Sequence, residues 1–177
     1  WNEWSLYPTF NINYAPAPGN VWQLSLSSDK SYPDYWATQD AVSYMGGGYS
    51  EIHGNPYLKP EINYQLQLTY VLNSKYMFNA WYSHTKDNAT QTLYQSPERL
   101  VEIYKYFNFD FEQQAGVQAV VPFAIGRWLK SRFTLTGVYD RQKDSDFWDI
   151  PFDRKAYYAM LNMNHTVTLF SHPDIKL

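Results

Sequence analysis

The sequence predicts an all-β fold, with antiparallel up-and-down strands forming part of a transmembrane β-barrel. Three observations carry that expectation. Apolar and polar residues alternate with a period of two, in segments close to the roughly 9–11 residues of a tilted membrane-crossing strand. Short turns of Pro, Gly, Asn and Ser alternate with long polar connections, an asymmetry typical of membrane barrels. The polar members of the alternation are mostly Asn, Gln, Ser and Thr, while charges gather in connections and at strand ends. A soluble sheet would carry its charges mid-strand.

The elements follow in chain order. Trp4, Leu6, Phe10, Ile12 and Tyr14 oppose Ser5, Thr9, Asn11 and Asn13; then, after the turn APAPGN, Trp22, Leu24 and Leu26 oppose Gln23, Ser25 and Ser27. A long connection is expected over about residues 28–61. Ile62 to Val71 is the clearest segment, with Ile62, Tyr64, Leu66, Leu68 and Tyr70 on one face and Asn63, Gln65, Gln67 and Thr69 on the other. Past the turn NSK, Tyr76, Phe78, Ala80 and Tyr82 oppose Met77, Asn79, Trp81 and Ser83. A second long connection is expected over 86–98, and VEIYKYFNF holds a short strand. Ala115, Val117, Ala119 and Val121 then oppose Gln114, Gly116 and Gln118. After AIGR, Phe133, Leu135, Gly137 and Tyr139 oppose Arg132, Thr134 and Thr136. A third long connection is expected over 143–155, before a last strand from Tyr157 to Phe170. Trp4, Tyr14, Trp22, Tyr70, Tyr76 and Trp128 fall near strand ends, where aromatic girdles of barrels sit.

Composition narrows the function. The 177 residues hold 14 Lys and Arg against 17 Asp and Glu, which speaks against a nucleic-acid partner. Cysteine is absent, so a disulfide framework and a thiolate zinc site are excluded. Aromatics make up 19% of the chain, yet mean hydropathy is -0.53. That pairing suits surfaces that are half apolar and half wet. No apolar run approaches the roughly 20 residues of a membrane-spanning helix. The abrupt start on WNEWSLYPTF and finish on SHPDIKL suggest a piece of a longer chain.

The stretch GNPYLKPE, followed by its alternating strand, resembles a motif in the barrels of TonB-dependent outer-membrane receptors. Within them it is most similar to the variety with an outer membrane protein beta-barrel domain. Gly54, Asn55, Pro56, Leu58, Lys59, Pro60 and Glu61 match, with Tyr57 at the variable place. In such receptors the motif ends an external loop just before a strand. The resemblance implies a nutrient importer (of a glycan, siderophore or similar) in the bacterial outer membrane, energised through TonB. It implies as partners the bilayer, the rest of the barrel, a plug domain, TonB by way of the missing N-terminal part, and a surface lipoprotein. Neither plug nor TonB-contact motif is visible, so residues 1–177 are expected to be a fragment of one barrel domain. Six to eight strands would be about a third of a 22-stranded barrel. Within the motif, Gly54 permits positive φ, and Pro56 and Pro60 stiffen the approach to the strand.

Other candidates are weaker. Asp144, Asp146, Asp149 and Asp153 cluster without EF-hand spacing and read as a solvated loop. His53, His84, His165 and His172 lack metal-ligand spacing, and no nucleophile or nucleotide motif occurs. No catalytic residue, cofactor or metal is expected. Tyr32, Tyr35, Trp36, Tyr44 and Tyr49 could stack on a sugar or siderophore, or pack their loop against its neighbours. Rival readings are a soluble carbohydrate-binding β-sandwich and a non-transporting structural or adhesion barrel.

Overall fold

The computed structural model describes residues 6–168. Trp4, Ser5, Leu169, Phe170 and His172 lie outside them. The alternating segments become β1 (Phe10–Ala17), β2 (Asn20–Ser31), β5 (Glu61–Leu72), β6 (Tyr76–Gln95), β7 (Glu102–Ile125), β8 (Leu129–Phe147) and β9 (Ile150–Val167); β3 (Val42–Met45) and β4 (Ser50–His53) form a hairpin inside the β2–β5 connection. The long strands run side by side as an antiparallel meander, β1-β2-β5-β6-β7-β8-β9. β4 pairs in parallel with the N-terminal end of β7, from Ser50↔Glu102 to His53↔Lys105, beyond the point where pairing with β8 stops.

At one end the turns are tight because their residues adopt left-handed φ: Gly19 (79°), Asn73 (53°), Ser74 (52°) and Gly126 (54°). Two of these turns interlock, with the Ser74 amide donating to the Gly19 carbonyl at 2.7 Å.

At the other end the strands run further than expected, and two connections need correcting. Residues 86–95 belong to β6, so the second connection is only 96–101. The third shrinks to Trp148 and Asp149, both at left-handed φ (51° and 62°), in a two-residue hairpin turn. The first is real but spans 32–60. The strand expected at VEIYKYFNF fuses with the next to make a β7 of 24 residues. Polar residues such as Lys86, Asn88 and Gln91 looked like a loop because they break the alternation. A hairpin that projects into water is wet on both faces, so pairing alone can hold it extended.

Register keeps the faces unmixed. Tyr14, Trp22, Tyr70, Phe78, Ala119, Leu135 and Leu161 are successive partners in one row. Trp22 stacks on Tyr70 at 4.0 Å, at the tight-turn end where a girdle was expected. The adjacent row, Asn13, Gln23, Thr69, Asn79, Gln118 and Thr136, faces the other way. Among the described residues every strand belongs to one sheet, and buried apolar residues are confined to Ala37, Leu58, Ile62 and Phe109. Leu66 and Leu68 remain 40% and 37% exposed, and Val117 61%. A soluble sandwich needs those residues in a closed core, so that reading is overturned. An apolar face this broad is stable only against lipid or another apolar surface.

Candidate functional site

The 32–60 connection folds over the polar face at the end away from the tight turns, and the 54–61 motif ties it down. Asn55 Nδ2 donates to the Tyr106 carbonyl at 2.9 Å, while its Oδ1 accepts from the Tyr57 amide at 3.1 Å in an Asx turn. The Lys59 amide donates to Asn108 Oδ1 at 2.7 Å, and Asn108 Nδ2 donates back to the Lys59 carbonyl at 3.0 Å. Glu61 accepts from the Ala89 amide, and Leu58 is buried. Tyr106 and Asn108 share the side of β7 that carries Glu112, Gln114 and Gln118, so the connection crosses the polar face. Gly54 is required for a different reason than expected: its φ is not left-handed, but a Cβ there would collide with the Gln39 carbonyl.

A second clasp holds the β3–β4 hairpin. Glu51, 3% exposed, accepts from Arg99 Nη1 at 2.9 Å and Nη2 at 3.3 Å, and from His53 Nε2 at 2.8 Å. Hydrogen bonding from His53 first, then from Arg99, holds the Glu51 carboxyl below its ordinary value of 4.5. Arg99 lies in the 96–101 connection, so the clasp joins two elements remote in sequence.

All five loop aromatics are exposed, and two of them, Tyr32 and Trp36, lie beside Tyr106. Tyr32 lines a recess of about 200 Å³ with Asp34, Ala37, Glu61 and Tyr106. Trp36 meets Tyr106 edge-on at 5.5 Å. Tyr35, Tyr44 and Tyr49 are exposed, the last two beside or within the β3–β4 hairpin. Among the described residues no group of His, Asp or Glu is close enough to hold a metal.

Below the connection the polar face is cross-linked along its width. Thr69 donates to Asn79 (2.8 Å), Asn79 to Gln118 (3.2 Å) and Gln118 to Thr136 (3.1 Å). Trp81 lies against Gly116, where a Cβ would strike the indole, and its Nε1 donates to Gln114 at 3.3 Å. Asn63, Gln65, Gln67, Ser83 and Gln118 surround it in a trough of about 450 Å³. A flat ring ringed by amides and hydroxyls can bind a polar ligand by stacking and hydrogen bonding at once. In the alternation Trp81 falls on the polar face, where its neighbours in sequence give it no role. The signal was present: a Trp at a polar position, and a Gly inside a strand, which marks a close approach. Nothing local foretold the Glu51–Arg99 pair.

One apolar face and one cross-linked polar face are the marks of a membrane-barrel wall. The chain belongs to the outer membrane protein beta-barrel family, whose model matches residues 2–177, and its place is the bacterial outer membrane. No curated protein matches it. Among solved structures it is similar to the siderophore receptor PirA from Pseudomonas aeruginosa, at 10% identity and a TM-score of 0.59, covering 93% of this chain and 36% of that one. It is also similar to a mutant of the ferric enterobactin receptor PfeA from Pseudomonas aeruginosa in complex with enterobactin, at 12% identity and a TM-score of 0.52, covering 93% and 33%. At such identities the likeness is one of fold. The chain spans about a third of the length of those receptors.

Proposed function

We propose that the chain forms part of the barrel of an outer-membrane receptor that imports a nutrient, a siderophore, glycan or similar compound, with energy supplied through TonB. The observation that carries this reading is the pinned 32–60 connection overhanging a hydrogen-bonded polar wall. A barrel with a purely structural task needs no such overhang. In this reading the apolar face meets lipid, the polar face lines the lumen, and the long-connection end faces the medium. The 54–61 motif acts structurally, handing the chain back into the membrane in register, since a one-residue slip would turn Asn63 and Gln65 toward lipid. The remaining strands, a plug domain and TonB are the partners that the reading requires, and it leaves room for a surface lipoprotein. It assigns the chain no covalent chemistry.

The test is growth of the native bacterium on a panel of iron-siderophore complexes and glycans, with the full-length gene intact, deleted, or carrying Trp81→Ala, each with and without TonB. At least one nutrient should require both gene and TonB, and Trp81→Ala should slow its uptake without lowering receptor abundance. If uptake of every nutrient survives both deletions, the structural or adhesion barrel becomes the better account.

A further inference from the structure

The polar wall beneath the overhang is one-sided in charge. In the register rows from Trp81 to Glu61, the polar face carries Asp29, Glu61, Glu112 and Asp140 against a single cation, Arg154. Among the described residues the trough around Trp81 is lined by amides, hydroxyls, the indole and one carboxylate, Glu112, and by no Lys or Arg. A strongly anionic ligand would be repelled along this whole approach.

The polar groups of the trough fall into two sets. One is fixed: the Trp81 indole donates to Gln114 at 3.3 Å, and Glu112 Oε2 accepts from Asn88 at 2.6 Å and from Gln142 at 2.9 Å. The other is open: among the described residues Gln65, Gln67, Ser83 and Glu112 Oε1 make no side-chain hydrogen bond. Gln67 is the direct cross-strand partner of Trp81, and Gln65 that of Ser83, so the open groups border the ring. Benzo-ring atoms of Trp81 lie where a Gly116 Cβ would stand, so the indole rests over the neighbouring strand with its opposite face turned to the trough.

These open groups suit one ligand chemistry. An amide both donates and accepts, as a sugar hydroxyl does, and a carboxylate oxygen accepts from such a hydroxyl. The oxygens that hold iron in a chelate only accept, and so call for pure donors such as Arg and Lys. We propose that the trough is a subsite for an uncharged glycan. A pyranose ring lays its C–H face on Trp81, and its hydroxyls are shared among Gln65, Gln67, Ser83 and Glu112. The bonds from Asn88, Gln142 and Gln114 hold carboxylate and ring in place beforehand, which lowers the ordering cost of binding. The subsite rests on the reading that the polar face lines the lumen of an importer, and it narrows the nutrient to a neutral glycan rather than an anionic iron chelate.

The test uses the full-length receptor, purified in a detergent without a sugar headgroup and titrated by calorimetry. The probes are neutral oligosaccharides of glucose, mannose, xylose and galactose and, as a separate arm, a ferric tris-catecholate. At least one oligosaccharide should bind, with an affinity equal at low and high salt because it carries no charge for ions to screen. The chelate should not bind. Trp81→Ala should weaken the oligosaccharide roughly tenfold, Trp81→Phe should keep most of the affinity, and Gln67→Ala should weaken it several-fold. Heat-dependent gel mobility checks folding; should Trp81→Ala fail it, Gln67→Ala carries the test. Binding of no oligosaccharide, tighter binding of the chelate, or an oligosaccharide affinity unaltered in the variants that fold would each overturn the proposal. An oligosaccharide that binds as expected, while its uptake needs neither the gene nor TonB, supports the subsite and counts against the import reading alone.

Discussion

At the scale of the residue, two side chains hold the outer architecture by different physics. Gly54 acts by being small, letting the backbone pass the Gln39 carbonyl. Glu51 acts by charge. Taking a carboxylate out of water is costly unless it is paired and hydrogen-bonded, and Arg99 and His53 supply both conditions. Because folding lowers the Glu51 pKa below 4.5, its contribution is complete above that ordinary value and is lost as pH falls through the lower folded-state value. Hydrogen exchange at the β4 amides, corrected for intrinsic rates, should therefore accelerate once the pH falls below the carboxylate range. Glu51→Gln should raise it at neutral pH by roughly tenfold, the measure of a lost charge-assisted hydrogen bond. Protection unaltered by acid and by the substitution would show that backbone pairing to β7 alone holds the hairpin.

At the scale of the element, the strands were legible where one face meets lipid and the other water. Ile62 to Val71 could be read directly because the two environments impose strict alternation. Beyond the bilayer that constraint disappears, which is why Lys86 to Gln95 and Lys143 to Phe147 looked like loops although they are strand. The 54–61 motif could be located from sequence, but not its anchors, Tyr106 and Asn108, some fifty residues away. Trp81 was legible only as an anomaly; its meaning lies in Gly116 on another strand. The alternation itself is open to measurement, since the chain has no native cysteine. Single cysteines at Leu66 and Leu68 should respond to a lipid-soluble quencher and resist an impermeant thiol reagent, while those at Gln65 and Gln67 should do the reverse. Protected Leu66 and Leu68 sites in a detergent-free soluble protein would contradict the barrel.

At the scale of the whole molecule, the decisive fact is that the sheet does not close. β1 and β9 each pair on one side only among the described residues, and both are exposed along nearly their full length. Their free edges present rows of unpaired amides and carbonyls, which in water recruit other strands and in the bilayer cost several kcal/mol for each unsatisfied group. The meander contributes seven long strands, about a third of the 22 in plugged outer-membrane transporters, in keeping with the share of the receptors that the chain covers. In the proposed reading, closure comes from further strands pairing with β1 and β9. Residues 1–177 produced alone should accordingly aggregate without detergent and run as a heterogeneous assembly within it. The full-length protein should fold into a species whose gel mobility shifts only on heating. The contrast isolates closure as the cause, because both samples share every contact described above. A monodisperse, detergent-free monomer from residues 1–177 would mean that the open edges and the apolar face are covered within this chain, and the single-sheet architecture would have to be abandoned.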